Sequence, residues 1–445
     1  MNPELRRNLW LEITTHRLLA MPVILGLAFL ALAAIDKPNA AAHLNWLALV
    51  GFGLLTALWG SRLAGNAILD EITDKTWDWQ RLSILSPWTM MWGKLFGATA
   101  FSWYGGLICL GVFLATASSS AIRSPYLFGM SVILLAIMFH AGTIAAALHI
   151  SRAKTTVNRR AIGILPLVLL LYVVPFVVAK AWASRAAVNW YGVDFDNLGF
   201  LLASSAAFAV WAVVGAWRCM CQSLAVRTAP WAWLMFLLFV TAYSAGHFVS
   251  ASTLATGLTA LVALSMAGLI SGLLLTYVML FTEPTGPIVL RRLMRKASQR
   301  QWTRAWQELP CWPVALIYAA VCALILTVNG IDSANSAWRD LAILPIPAVL
   351  RAVRDAAIFL FFAAAVSPRR VVSTTIVYMV LLDWILPTLL RSLGFIQLAA
   401  WLSPYERASF WAPIVSALVQ AVVAACFAYR RMQVNFLSCR RVDGW

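Results

Sequence analysis

Ionisable side chains are scarce in this chain, acidic ones above all: there are 17 Asp and Glu among 445 residues, with five His and seven Cys. Each shortage excludes something. Charged residues make up 11%, hydrophobic residues 62%, and the mean hydropathy is +0.80. No soluble domain of this length tolerates such a balance. No G-x-x-x-x-G-K-[ST] run occurs, so the chain has no P-loop of its own for ATP. H-E-x-x-H, G-x-S-x-G and Cys/His nucleophile arrangements are absent as well, which removes the common hydrolase classes and argues against an enzyme. The cysteines (Cys109, Cys219, Cys221, Cys311, Cys322, Cys426, Cys439) are scattered. Cys219-x-Cys221 has no second pair or His cluster beside it, so a zinc site is not expected and these residues read as small core groups. His140, His149 and His247 are too dispersed for a metal and read as interhelical hydrogen-bonding groups. No metal or cofactor is expected in this chain.

Basic residues are in excess, with a formal net charge of +17. They sit in short loops between apolar runs and not on a basic, aromatic-interleaved domain, so nucleic acid is not an expected partner. About 25 of the 34 Lys and Arg fall on one side when the apolar runs are threaded alternately, which places both termini in the cytoplasm under the positive-inside rule. The runs long enough to cross a bilayer are Leu18–Ile35, Leu44–Ala64, Leu95–Ala117, Tyr126–Ile150, Ala161–Trp182 and Leu198–Trp217. They continue at Trp231–Val249, Leu254–Phe281, Trp312–Val328, a region between Leu341 and Val366, Val371–Leu390 and Phe410–Tyr429. The expected fold is therefore an all-α, polytopic membrane protein of roughly twelve spans. The first run is not a secretory signal, because the segment before it is long and carries Glu4 and Glu12. That segment, residues 1–17, reads either as an interfacial amphipathic helix with Leu5, Leu9 and Ile13 on one face or as a basic flank that fixes orientation.

Four of the acids, Asp70, Glu71, Asp74 and Asp78, fall within nine positions between two spans. On a single helix over 70–82, Asp70, Asp74, Asp78 and Arg81 share a face. Ile68, Ile72, Trp79 and Leu82 share another with Trp77 at its edge, and Glu71 and Lys75 form an i, i+4 pair. Such a helix is either a solvated connector or a docking surface for a partner.

The run Glu71-x3-Lys75-Thr76-Trp77-Asp78, then Leu82, Leu85-Ser86-Pro87 and Gly93-Lys94 resembles the signature of ABC-2 type transporter permeases over residues 62–96. One departure is Lys75, where the family often has a small residue before its Thr. The resemblance implies an N-terminal elbow helix and a cytoplasmic coupling helix, here within 65–94. It implies partner-binding roles for Asp70, Glu71, Asp74, Lys75, Thr76, Trp77, Asp78, Arg81, Ser86, Pro87 and Lys94. It also implies a separately encoded ATP-binding subunit, which would carry the ATP and Mg²⁺, with membrane lipids and a second permease copy as further partners.

Long loops after the second and eighth spans and short basic loops after the fourth and tenth suggest a six-plus-six pseudo-repeat, residues 18–217 and 218–445. The alternative is one six-span core with a six-span extension, since loop 282–309 lacks the signature. Finally, Arg351, Arg354 and Asp355 lie in an apolar stretch, and Asp383 stands alone in the eleventh run. Ionised groups at bilayer depth cost several kcal/mol unless paired or hydrated. They are either translocation-path residues or, for the first three, products of a re-entrant hairpin over Leu341–Leu350 with the span starting near Ala356. An ion-coupled secondary transporter, or a membrane-embedded lipid-modifying enzyme or scaffold, remains an alternative to the permease.

Overall fold

A computed structural model of the chain describes residues 2–35, 37–120, 122–152, 187–226, 228, 230–249, 260–283, 287–331, 342, 344–364, 371–402 and 411–442. The chain divides into two compact units: Met1–Asn189 with Asp194–Thr228, and Trp190–Val193 with Ala229–Trp445. Helix dominates both, and among the described residues nine helices are long and apolar enough to cross a membrane, ten if one bent pair counts as a span. An all-α polytopic membrane protein is what this composition builds, because a chain without water around it must satisfy every backbone group internally. Of the other two expected spans, Ala161–Trp182 lies outside the described residues. The region Leu341–Val366 holds a continuous helix that carries three ionisable groups.

The first unit contains α1 (Pro3–Glu12), α2 (Thr15–Ile35) and α3 (Ala40–Thr73). A short α4 (Trp77–Arg81) leads into the bent pair α5 (Pro87–Gly97) and α6 (Ala100–Ala115), broken by 50°. Then come α7 (Pro125–Arg152) and α8 (Asn197–Ser223); between them in sequence lies a two-stranded hairpin of β1 (Val188–Trp190) and β2 (Val193–Phe195), whose residues Trp190–Val193 belong to the second unit. The hairpin turns at Tyr191 and Gly192, both at positive φ, as a two-residue type I′ turn needs.

Departures from regular helix have local causes. Pro22 inside α2 has no N–H to give the carbonyl of Leu18, and the Tyr104 hydroxyl donates to that carbonyl instead, at 3.2 Å. In α3, His140 Nε2 donates to the Thr56 carbonyl at 2.7 Å. The surrounding Gly53–Gly60 segment widens into a π-helical stretch, a common response to a carbonyl drawn out of the ladder. His140 thus bonds across helices, as its isolation in the sequence suggested.

The second unit contains α9 (Trp231–Phe248), α10 (Ala260–Thr282), α11 (Pro287–Ser298), α12 (Trp302–Gln307) and α13 (Cys311–Ile331). It is completed by α14 (Pro345–Ala363), α15 (Val371–Ser392), α16 (Ile396–Leu402) and α17 (Trp411–Val442). The re-entrant reading of Leu341–Leu350 is corrected here: α14 runs unbroken from Pro345, which takes the first helical position. Pro345 and Pro347 sit in the first turn, where a missing N–H breaks no intrahelical bond. In α15 the segment Leu381–Ile385 is π-helical. Pro387, four residues after Asp383, cannot donate to the Asp383 carbonyl, and the ladder shifts by one residue around it.

Candidate functional site

A single helix over 70–82 does not form. The α3 helix ends at Thr73, and Lys75 adopts a left-handed φ of 59°. Thr76 N–H bonds the Glu71 carbonyl at 2.9 Å and Lys75 N–H bonds the Ile72 carbonyl at 3.3 Å. These two bonds are a Schellman C-cap with lysine where glycine is usual. The chain restarts as the five-residue α4. The expected Glu71–Lys75 pair is therefore not the one made.

Glu71 turns inward to Lys94, whose side chain is wholly buried. Lys94 Nζ also lies 3.2 Å from Glu4 Oε1. Arg7 bridges both carboxylates, at 3.3 Å to Glu4 and 3.2 Å to Glu71, and Asn8 Nδ2 donates to Glu4 and to the Gly93 carbonyl, each at 3.2 Å. Gln80 of α4 donates to Glu71, and the Trp77 ring lies 5.7 Å from the ammonium. Two cations and two carboxylates balance, so a lysine without solvent can remain charged. One cluster thereby fastens α1, the end of α3, α4 and the start of α5.

On α1 the expected apolar face divides: Leu5 and Leu9 are half-buried, and Ile13 is exposed. The face that α1 buries is polar (Glu4, Asn8), while Trp10 and Leu11 are exposed. Gly93 and Gly97 make the approach possible. A Cβ on Gly93 would meet Glu4 Cγ at 2.5 Å, and one on Gly97 would meet Asn8 Cβ at 2.8 Å. Asn2 adds a further tie. Its Oδ1 accepts from the N–H groups of Glu4 and Leu5, and its Nδ2 donates to the Thr89 carbonyl at 2.7 Å.

The sequence-singled residues consequently separate into two sets. Glu71, Trp77 and Lys94 are buried, whereas Asp70, Asp74, Lys75, Thr76, Asp78, Arg81 and Ser86 are exposed. Ser86 caps α5 by accepting from Thr89 N–H at 3.2 Å, and Pro87 takes the first helical position. Asp78 and Arg81 form an exposed pair at 3.6 Å. Trp79, Leu82 and Ile84 are exposed too; they cover no core within this unit. Sequence reasoning passed over Arg7, Asn8 and Gln80, and treated Glu4 only as an argument about the N-terminus. The Gly93-x3-Gly97 spacing was the available signal.

In the second unit, Arg351, Arg354, Asp355 and Asp383 come together. Arg354 binds Asp355 Oδ1 through Nε and Nη2, at 2.9 and 2.8 Å, and Asp383 Oδ2 through Nη2 at 2.7 Å. Its Nη1 donates to Gln420 of α17 at 2.7 Å. Tyr277 of α10 donates to Asp355 Oδ2 at 2.7 Å. Arg351 lies 3.8 Å from Asp383 and donates to the Leu402 carbonyl at 3.1 Å. Asp355 is thus paired with its sequence neighbour Arg354, and Asp383 with both Arg354 and Arg351. Again two positive and two negative groups balance, here among helices α10, α14, α15, α16 and α17. Tyr277 and Gln420 carried no sequence signal. Chemically, the network can hold charge at the depth of the apolar helices without leaving it uncompensated.

No group of three or more metal-ligating side chains occurs among the described residues. The chain matches no protein-family model, no curated protein and no solved structure. What fold and composition define is a class: a helical protein embedded in a membrane, with a buried ion network among the described residues of each unit.

Proposed function

We propose that the chain is the membrane-spanning subunit of an ABC-2 type, ATP-driven transporter, an exporter in direction, driven by a separately encoded ATP-binding subunit. In this reading the protein lies in the bacterial inner membrane with both termini cytoplasmic. The observation that carries it is the segment 74–86. Its base is clamped by the buried Glu71–Lys94 pair, and the rest stands out with Asp74, Asp78, Trp79, Leu82 and Ile84 exposed. A projection bearing both acids and large apolar groups, anchored on a buried ion cluster, suits docking into a basic-rimmed cleft on a partner. The motif run that resembles the family falls on the same residues. ATP and Mg²⁺ belong to the partner in this reading.

The test is co-expression with a candidate ATPase subunit. Wild-type chain should retain the ATPase and show no hydrolysis alone. Asp74→Lys with Asp78→Lys should weaken that association and uncouple hydrolysis from transport. Each exposed pair contributes only about 0.2–1 kcal/mol, so the double reversal is needed. Unchanged association and transport in the double variant would remove the docking role. The mass of the same complex reports stoichiometry: one copy with two ATPases fits a fused pair of halves, and two copies fit a six-span core with an extension.

A second reading, an ion-coupled transporter, is favoured by one specific observation, the carboxylates Asp355 and Asp383 at span depth. Transport that persists without any ATPase and follows an imposed proton gradient would select it.

A further inference from the structure

The connection between α10 and α13 has a chemistry that the transporter reading does not use. Both flanking helices are apolar spans, and their facing ends are pinned together. Glu283, one residue past α10, accepts from the N–H groups of Cys311 and Trp312 at the start of α13, at 2.7 and 3.4 Å. The connection therefore leaves and re-enters the bilayer at one level. Three residues lie between Glu283 and Pro287, so the four steps reach at most about 14 Å, and α11 starts beside the membrane boundary whichever way the chain is threaded.

The sequence of α11, PIVLRRLMRKAS, divides around its axis, apart from Ile288, whose position falls among the basic ones. Val289, Leu290, Leu293, Met294 and Ala297 fall on one side, and Arg291, Arg292, Arg295 and Lys296 on the other, with no acid on the helix. Lys296 pairs with Glu308 just beyond α12 and folds the helix back on the connection. The helix closes on Arg300 at φ 55°, with Gln301 N–H bonded to the Lys296 carbonyl at 2.9 Å. Met294 and Trp302 are more than half exposed, as apolar and aromatic groups are when they sit at a lipid headgroup level.

We propose that α11 is an interfacial helix that binds the anionic phospholipid headgroups of the leaflet it faces. Its apolar side and Met294 insert at the acyl boundary while Arg291, Arg292 and Arg295 engage phosphates. Charge complementarity selects this occupant: a basic face held within reach of a surface whose fixed charge is negative. The inference rests on the membrane embedding alone and stands or falls apart from the transporter reading.

The test uses the full chain in lipid nanodiscs made of phosphatidylcholine alone or with about one-third phosphatidylglycerol, read by hydrogen exchange over residues 287–298. Exchange should slow by about tenfold or more in the anionic discs, and high salt should reverse the effect. Arg291→Gln with Arg292→Gln and Arg295→Gln should abolish the protection, leaving Lys296 to hold Glu308. The corresponding triple Arg→Lys variant should keep it. Equal exchange in both discs overturns the proposal, as does protection that survives the triple Gln change. Protection by inorganic phosphate in phosphatidylcholine discs also overturns it, because the occupant is then a soluble anion. Unchanged exchange in α10 checks that each variant is folded.

Discussion

The two buried ion networks use the same charge balance with different hardware. In the first unit a lysine on a flexible stem gathers two carboxylates, and Arg7, half-exposed, closes the cluster from the solvent side. In the second unit Arg354, nearly as buried, uses its planar fork to fix two carboxylates and a glutamine at 2.7–2.9 Å. A point charge tolerates reorientation of its partners, and a guanidinium fork does not. The lysine cluster joins helix ends, including those of the two short helices α1 and α4. The arginine network joins long helices at the depth of their apolar faces. The first is thus suited to yield when α4 is pulled, and the second to hold its helices in one register.

The largest effect is expected where the fork is removed. Arg354→Met leaves Asp355 and Asp383 without their main cation, and breaking such a pair from one side costs about 3–5 kcal/mol. Unfolding of the second unit in detergent, followed by thermal or denaturant transition, should report that loss. Adding Asp355→Leu should restore part of it by removing one stranded charge. If the double variant is as unstable as the single, or the single is unaffected, the network does not carry the second unit.

Lys94→Met comes next. It strands Glu4 and Glu71, but Arg7 remains close to both, so the cost should be smaller, about 2–3 kcal/mol. Because α1 and α4 are short, the loss should appear locally as faster hydrogen exchange in residues 3–12 and 77–81 before it appears globally. Pairing the change with Glu71→Gln should recover much of the protection. Uniform loss across the unit, without that local order, would make the lysine an ordinary core residue rather than a clasp.

The contrast also explains how much was legible. Apolar runs locate spans because burial in lipid demands them, and α2 and α7 were readable nearly residue for residue. The end of α3 was not. The second run stops at Ala64, yet α3 continues to Thr73, because helix persists beyond the apolar stretch once Glu71 has Lys94 to hold it. The single helix over 70–82 failed on one backbone angle at Lys75 that no side-chain pattern encodes. Arg351, Arg354, Asp355 and Asp383 were conspicuous because charge is rare at that depth, but their pairing depends on how α14, α15 and α17 pack, which spacing along one helix cannot give. Trp79, expected on one face with Ile68, is exposed while Ile68 is buried, because a broken helix resets the angular register.

The smallest expected effect sharpens that last point. Lys75 occupies a left-handed conformation that costs a side-chain-bearing residue about 1 kcal/mol or more, and its own side chain is exposed. Glycine adopts this angle without strain, so Lys75→Gly should stabilise the end of α3 by about 1 kcal/mol or slightly less, since glycine also widens the unfolded ensemble. The gain should be confined to the amides of the cap, Lys75 and Thr76, and to Gln80, whose side chain reaches the Glu71 carboxylate. Hydrogen exchange at those positions should slow by a few-fold, and Lys75→Val, β-branched at the same angle, should speed it. Should glycine speed exchange instead, the cap would rest on a contact of the lysine side chain, and segment 74–86 would be held in place less by its backbone than by its partner-facing residues.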